Sequence, residues 1–561
     1  MGPISLFNDV LGPVMRGPSS SHTAGSFHIA KIVAGLLGGR PSRARFAFDP
    51  RGSYARVFRE QGVDRGFAMG LLGWPLTDAR FFDVLDLVPG EGLEIGFDVR
   101  PLPHATHPNT VDVALARGDA HLQATARSTG GGAVEIVAVD GWVVRLTGET
   151  WEALVEAPAP ARDTVTCALT ADGAGAGEVV VVERDDRVLL HARRRAALGE
   201  DSRAAMAAAG GRLREAPPIA FVKRGPGLFD SAAEMIALAE QRGVSLGHVA
   251  LAHEASLLGL DESAIVAEMA RRLDVMRASV ADGLGEREPS MQLLQPTARR
   301  VYQAEATGRL AIGGLHTRAA ARALAAMEVN SSMGVVCAAP TGGSAGVLPA
   351  VMVTLEEAGL KSCSATPGLA RLKPCPTDVV SPGPPTDCPT PGPVGQGVSP
   401  AGQGFSLAWD LATTLPLFAA AAIGVVVASR ATFAAEVAGC QVEIGAAGAM
   451  AAAAVVEAAG GTARQAADAA AIAFQNTMGS VCDLVQGVVE IPCHTRNAVA
   501  ASSAFVCADL VLGGYVNPIP LDETIDAVFA VGRMMPSELR CTARGGLAVT
   551  PTALEMKRGR E

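Results

Sequence analysis

Two stretches of the chain, LFAAAAIGVVVA (417–428) and AAGAMAAAAVV (446–456), carry almost nothing but small apolar side chains. Side chains of this size let helices approach closely, but they fill the face of a β-sandwich poorly. The bias is general: 49% of the residues are hydrophobic, only 4% are aromatic, and glycine occurs 63 times. A core built mainly from closely packed helices follows. Each run is shorter than the ~20 residues that cross a bilayer, so both are expected as buried helices.

At 561 residues the chain is long enough for about two to four domains. A net charge of −10 argues against nucleic acid or an anionic membrane as a partner. The opening MGPISLFNDV lacks the pattern of a signal or transit peptide, so a cytoplasmic location is expected. In a reducing compartment the ten cysteines are expected as thiols, ligands or redox groups rather than structural disulfides.

Residues 1–141 read as mixed α/β. SFHIAKIVAGLL (26–37) is a helix launched from a polar run, while EIGFDV, VDVALARG and TGGGAVEIVAVDG read as strands with a turn. Residues 142–216 alternate weakly, in WVVRL, TVTCALT, EVVVVER and RVLLHARR, as a small β-rich or ACT-like subdomain. From 217 onward the period turns helical. In GGTARQAADAAAIAFQNTMG, Thr462 sits three residues before Gln465 in a capping-box arrangement. The helical region divides into 217–360 and 415–553, followed by a tail, 554–561. Between its parts, 361–414 is rich in proline and has no helical period, so it is expected as a disordered insertion. Its Cys363, Cys375 and Cys388 match no common ligand spacing.

Several short stretches look specialised for chemistry. GPSSSHTAGS (17–26) places Ser19, Ser20, Ser21, His22 and Thr23 directly before a helix. Free amides there either bind an anion such as a carboxylate or are simply capped by the hydroxyls. In VCAAPTGGSAGVLPA (336–350), Gly342 and Gly343 let the backbone turn its amides toward a small anion, with Thr341 and Ser344 adding hydroxyls. HATHPNT holds His104 and His107 three apart. In SVCDLVQGVVEIPCHTRN (480–497), Cys482 and Cys493 lie eleven positions apart. Taken alone they read as a disulfide, as metal ligands or as two small core residues.

Taken together, GPSSSHTAG, HPNT, GGG, CAAPTGGSAGVLPAV, GCQVEIGAAGAMAAAA, VCDLVQGVVEIPCHTRNAV and LRCTARGGLAVTPTA resemble the iron–sulfur-dependent L-serine dehydratases. They stand in that family's order, a β domain followed by an α domain, fused in one chain. The resemblance covers roughly 1–141 and 217–553. It implies a multidomain fold: an α/β domain, a small linking segment, and a large all-α catalytic domain. It also implies conversion of L-serine to pyruvate and ammonia on a [4Fe–4S] cluster held by three cysteines. Carried over residue by residue, the ligands fall on Cys337, Cys482 and Cys493, with Cys440 of the GCQ element as the competing candidate. Cys167 and Cys507 read as core thiols, and Cys541 is unassigned.

The fourth iron of such a cluster is open, and as a Lewis acid it takes the substrate hydroxyl. The substrate carboxylate is expected at Ser19–Thr23 and Thr341–Ser344, with Arg496 adding a charged contact. A pyridoxal phosphate route needs a Schiff-base lysine. The chain has only Lys31, Lys223, Lys361, Lys373 and Lys557, none beside a phosphate loop, so no pyridoxal phosphate is expected.

Where many members carry a histidine proposed as the base, this chain has Gln61, which cannot serve as one; His22, His104 and His107 are the candidates. VCDLVQG replaces the usual VCDPVAG, putting Leu484 and Gln486 near the cluster, and the chain ends in MKRGRE rather than in a capping cysteine. A small amino acid is the expected partner and a homodimer the expected assembly. The alternatives are a cluster-dependent cysteine desulfidase and a non-catalytic cluster protein.

Overall fold

The protein is described by a computed structural model covering residues 2–171, 177, 179–286, 289–360 and 407–556. It has an N-terminal α/β region and a large helical C-terminal region. The strands, in chain order, are β1 (Val14–Arg16), β2 (Arg43–Phe48), β3 (Glu94–Val99), β4 (Thr110–Arg117), β5 (Ala120–Gly130), β6 (Ala133–Val139), β7 (Trp142–Leu146), β8 (Trp151–Pro158), β9 (Val179–Arg184), β10 (Arg187–Arg194), β11 (Arg212–Ala216) and β12 (Val335–Cys337).

Six of them form one sheet in the order β3-β2-β4-β5-β6-β7, with only the β2–β3 pair parallel. Alternating burial along β4 and β5 puts Val111, Val113, Leu115, Leu122, Ala124 and Ala126 on the covered face. Helix Gly25–Leu37 packs against that sheet and against helix Val63–Leu72. Gly70 permits the helix contact, because a Cβ there would meet the Phe27 carbonyl and the Ala30 methyl.

A second sheet, β11-β8-β10-β9, is wholly antiparallel and belongs to a β-α-β-β-α-β unit running from Trp151 to Ala216. Two expectations change here. WVVRL is the edge of the six-stranded sheet rather than part of the small unit. TVTCALT lies in a helix, Arg162–Thr170, because its buried residues Val165, Ala168 and Leu169 recur at three- and four-residue spacing rather than alternating. Cys167 in that helix is exposed, not core.

In the C-terminal region, helix Ile444–Ala458 is buried at each of its 15 residues. Helices Val347–Glu357, Leu407–Arg430, Ala463–Thr477 and Cys493–Leu512 surround it. Alanine and glycine on all sides make that encirclement sterically possible. The capping box at Thr462 and Gln465 forms as expected. The two apolar runs lie in helices that, by length and composition, reach what a membrane span needs; both are mostly buried inside the protein. Of the proline-rich segment, 361–406 lies outside the described residues, as do its three cysteines. Its end, 407–414, is not irregular but begins helix Leu407–Arg430.

The N-terminal strap joins the two regions. Leu6, Phe7, Val10 and Leu11 are buried in the helical core, and the buried Glu254 carboxylate accepts the Ser5 hydroxyl and the Leu6 and Phe7 amides. β1 then pairs antiparallel with β12, Val14 opposite Cys337. Replacing Leu11, fully buried between these elements, with alanine is expected to cost about 2–5 kcal/mol by lost burial and cavity formation. Denaturant unfolding measures it, and a loss below about 1 kcal/mol contradicts the packing described.

Candidate active site

Two turns from different regions meet at the start of the site. Ser20–Ala24 is a wide turn that runs into helix Gly25–Leu37, and Gly342–Ser344 is a short 3-10 turn before helix Val347–Glu357. The Gly342 amide donates to Ser20 Oγ at 3.3 Å. A side chain at Gly342 would collide with the Pro18 carbonyl and the Ser20 amide, so glycine is needed for the turns to touch. Asn330 steadies the first turn by donating to the Pro18 carbonyl at 3.1 Å.

His22 is buried in this contact. Its Nδ1 lies 3.1 Å from Ser19 Oγ and its Nε2 lies 2.9 Å from Ser53 Oγ. Burial lowers its pKa to about 4, so the ring is neutral at ordinary pH. Gln61, at 5% exposure, donates its Nε2 to the Gly487 carbonyl at 2.7 Å, which ties the α/β region to the loop between Cys482 and Cys493.

Four thiols converge beside this contact. Cys440 opens the turn before helix Ile444–Ala458, Cys482 lies in extended chain, Cys493 starts helix Cys493–Leu512, and Cys541 lies in the loop after Leu539. Sγ of Cys440, Sγ of Cys482 and a Glu443 carboxylate oxygen lie within 4.8 Å of one another. Cys440 and Cys541 lie beside Cys482, and these neighbours, together with burial, push the Cys482 thiol well up. Burial and then the neighbouring Cys440 do the same to Cys493.

The frame around the thiols is polar and specific. Arg496 donates to Cys440 Sγ at 3.6 Å and to the Val481 carbonyl at 2.7 Å, and it pairs with Asp483 at 2.9 Å. Asn497 donates to the Gly343 carbonyl at 2.9 Å and to the Cys493 carbonyl at 2.8 Å, while its Oδ1 accepts the Gly346 amide. Thr341 Oγ1 donates to Glu443 at 2.6 Å. Glu443 is nevertheless pushed up to about 7 by burial.

A cavity of about 410 Å³ opens onto this ground, walled by His22, Ser53, Gly343, Glu443, Cys482, Cys493 and Cys541 among others. Arg51, Arg56, Arg540 and Arg544 also line it, as does Glu436; the four guanidiniums suit a substrate with a carboxylate. A larger cavity, about 1140 Å³, lies elsewhere, between the strap and the six-stranded sheet, and none of the described cysteines lines it.

The structure thus brings together Cys482, Cys493, His22 and Gly343, with Ser19, Ser20, Thr341 and Ser344 bonded around them. Ser21 is buried in the same turn and its carbonyl accepts from Tyr54, while Thr23 donates to the Gln61 carbonyl. Cys337 is not brought in. Its thiol faces the Leu11 and Ala338 carbonyls, and its charged neighbours are Arg272, Arg271 and Glu268. Side chains alternate along β12, so Val336 enters the N-terminal core and Cys337 the helical core.

His104 pairs with Asp112 at 2.8 Å on the open face of the sheet. His107 accepts the Asn109 amide and does not line the cavity, although the next residue, Pro108, does. Arg496 braces the cysteine loops and is not in the cavity wall. Gln486 lines the cavity, but its Nε2 donates to the Ala553 and Met556 carbonyls. Cys507 is buried in helix Cys493–Leu512, as expected. Sequence reasoning missed Glu443 and Asn497. The signal for Glu443 is its place three residues after Cys440 in GCQVE, and for Asn497 four after Cys493, which is one helical turn.

Comparison with known proteins gives the same picture. A family model described as serine dehydratase alpha chain matches residues 196–370 and 397–548. The probable L-serine dehydratase alpha chain of Bacillus subtilis (strain 168) is 35% identical over 331 residues, 59% of this chain and 95% of that protein. The L-serine dehydratase alpha chain of Peptoniphilus asaccharolyticus is 32% identical over 333 residues, 59% of this chain and 98% of that protein. The beta chain from the same organism is 33% identical over 151 residues, 27% of this chain and 67% of that protein. With a thiol-lined cavity where the two regions meet and relatives of both kinds, the chain belongs to the serine dehydratase family, beta-like and alpha-like regions joined in one polypeptide.

Proposed function

We propose that the chain is an iron–sulfur-dependent L-serine ammonia-lyase, yielding pyruvate and ammonia. The observation that carries this reading is the gathering of Cys440, Cys482 and Cys493 beside a cavity that His22 and Gly343 also line. The donor set fits a cluster: several buried thiols and no disulfide among the described cysteines. Cys440 takes the ligand role expected of Cys337, whose thiol faces the helical core instead. A [4Fe–4S] cluster held there supplies a Lewis acid for the substrate hydroxyl.

The rest of the chemistry falls to the chain. Arginines at the cavity wall and the turn at Gly343 hold the substrate carboxylate. Among the three candidate histidines, His22 alone lines the cavity. Kept neutral by burial, it accepts the α-proton on a ring nitrogen, its orientation fixed by Ser19 and Ser53. Loss of the α-proton and the β-hydroxyl as water leaves an enamine, which tautomerises and is hydrolysed in water to pyruvate and ammonia. The described lysines, Lys31 and Lys223, do not line this cavity.

The test is pyruvate release from L-serine by protein reconstituted anaerobically with iron and sulfide, beside the same protein left unreconstituted. Turnover is expected only after reconstitution. Serine substitutions at Cys440, Cys482 or Cys493 are expected to remove bound iron and turnover together, whereas Cys337→Ser retains both. Cluster loss in Cys337→Ser with retention in Cys440→Ser overturns the ligand assignment, and pyruvate without iron overturns the chemistry.

Burial of His22 also sets a pH dependence. The unfolded ring takes its proton near its ordinary value of 6.5 but the folded one only near 4. Unfolded protein therefore binds more protons in that window. The stabilising contribution is complete above pH 6.5 and is lost as pH falls toward 4, by about 3 kcal/mol in all. His28 and His494 are lowered to about 4 in the same way. Urea unfolding of His22→Gln across that range is expected to show a shallower acid loss than the parent protein. Equal slopes contradict the burial argument.

A further inference from the structure

Cys541 is a further thiol at the site, and it is fixed there by its backbone. The Cys482 amide donates to the Leu539 carbonyl at 2.8 Å, and the Cys541 amide donates to the Cys482 carbonyl at 2.9 Å. Arg540 between them forms a parallel bridge with Cys482. Position 541 is thereby held beside Cys482 whatever side chain it carries. Its backbone is left-handed, φ 62°, a conformation that non-glycine residues adopt uncommonly and that surrounding structure must hold in place.

That conformation coincides with a side chain directed at the other thiols. Cys541 lines the same cavity as Cys482 and Cys493, and its backbone bond to Cys482 sets the two residues side by side. Cys440 Sγ lies within 4.8 Å of the Cys482 sulfur. Among the described residues the thiol donors thus number four rather than three, and Cys541 comes from a loop that belongs to neither the Cys440 turn nor the helix begun by Cys493.

We propose that Cys541 is a fourth thiolate donor to the iron–sulfur site, binding the iron that Cys440, Cys482 and Cys493 leave open. The proposal rests on the cluster reading given above. Four-thiolate clusters hold their iron better than those with one open position, so this chain is expected to keep its cluster intact under mild oxidation. Substrate must then compete with Cys541 for that iron.

The experiment uses the full chain, reconstituted anaerobically and treated with one equivalent of ferricyanide, with EPR and iron analysis as readouts. The parent protein is expected to retain its iron. Cys541→Ser, starting from the same iron content, is expected to lose one iron in four and show the EPR signal of a three-iron cluster. Cys541→Asn keeps a residue that tolerates the left-handed backbone and repeats the test should the serine variant not fold. In addition, Cys541 is expected to resist alkylation in the loaded protein and to react once iron is removed. Equal iron loss in parent and variants, or equal alkylation with and without iron, overturns the role of Cys541 alone. A parent protein that takes up no cluster overturns the underlying reading as well.

Discussion

The site depends on the grip of one side chain, Arg496, on the loops around it. Its guanidinium reaches the Cys440 sulfur, the Val481 carbonyl next to Cys482, and the Asp483 carboxylate, and it stands three residues beyond Cys493 on the same helix. One cation therefore registers three separate cysteine-bearing segments against one another. Asp483 in turn accepts the Leu547 amide, which ties down the chain just after Cys541. Without such a brace the thiols would be spread over elements joined only by packing. The charge also has a use: buried thiols resist ionisation, and a nearby guanidinium favours the thiolate form that ligands require.

Around that brace, small residues do the architectural work. The alanine- and glycine-rich helix Ile444–Ala458 is encircled, so Cys440 and Glu443 just before its start are delivered into a region from which bulk solvent is largely excluded. Glu490, fully buried, accepts the amides of Gln292, Leu293 and Leu294, and its carbonyl accepts the His494 amide. The loop from Cys482 to Cys493 thus has a polar anchor at its far end. The N-terminal region meets this assembly through two turns that touch only because Gly342 has no side chain. A cavity bounded by both regions follows from that contact, so neither region alone completes it.

Much of this was legible in the chain. The Thr462 capping box, the helix from Gly25 and three strands of the first sheet, β3, β4 and β6, follow from local chemistry, and the polar run before His22 marks a built turn. Cys482 and Cys493 stand out by their neighbours. Nearness in sequence misleads at Cys337, only a few residues before the glycine turn, because strand alternation directs its thiol into the helical core while the turn faces the cavity. Register of that kind is set by the partner strand, β1, more than three hundred residues away. TVTCALT misleads for a related reason: short β-branched runs fit either period, and the packing of the small unit selects the helix. Cys541 could not be placed at all, since its proximity to Cys482 is made by backbone hydrogen bonds between segments far apart in sequence.

Iron held by thiols from separate segments, at the contact between the two regions, can be seen in crystals of the anaerobically reconstituted protein measured at the iron absorption edge. Anomalous iron density is expected bounded by Cys440, Cys482 and Cys493, on the cavity side of His22. Density at Cys337, or none anywhere in protein that releases pyruvate from L-serine, would contradict it.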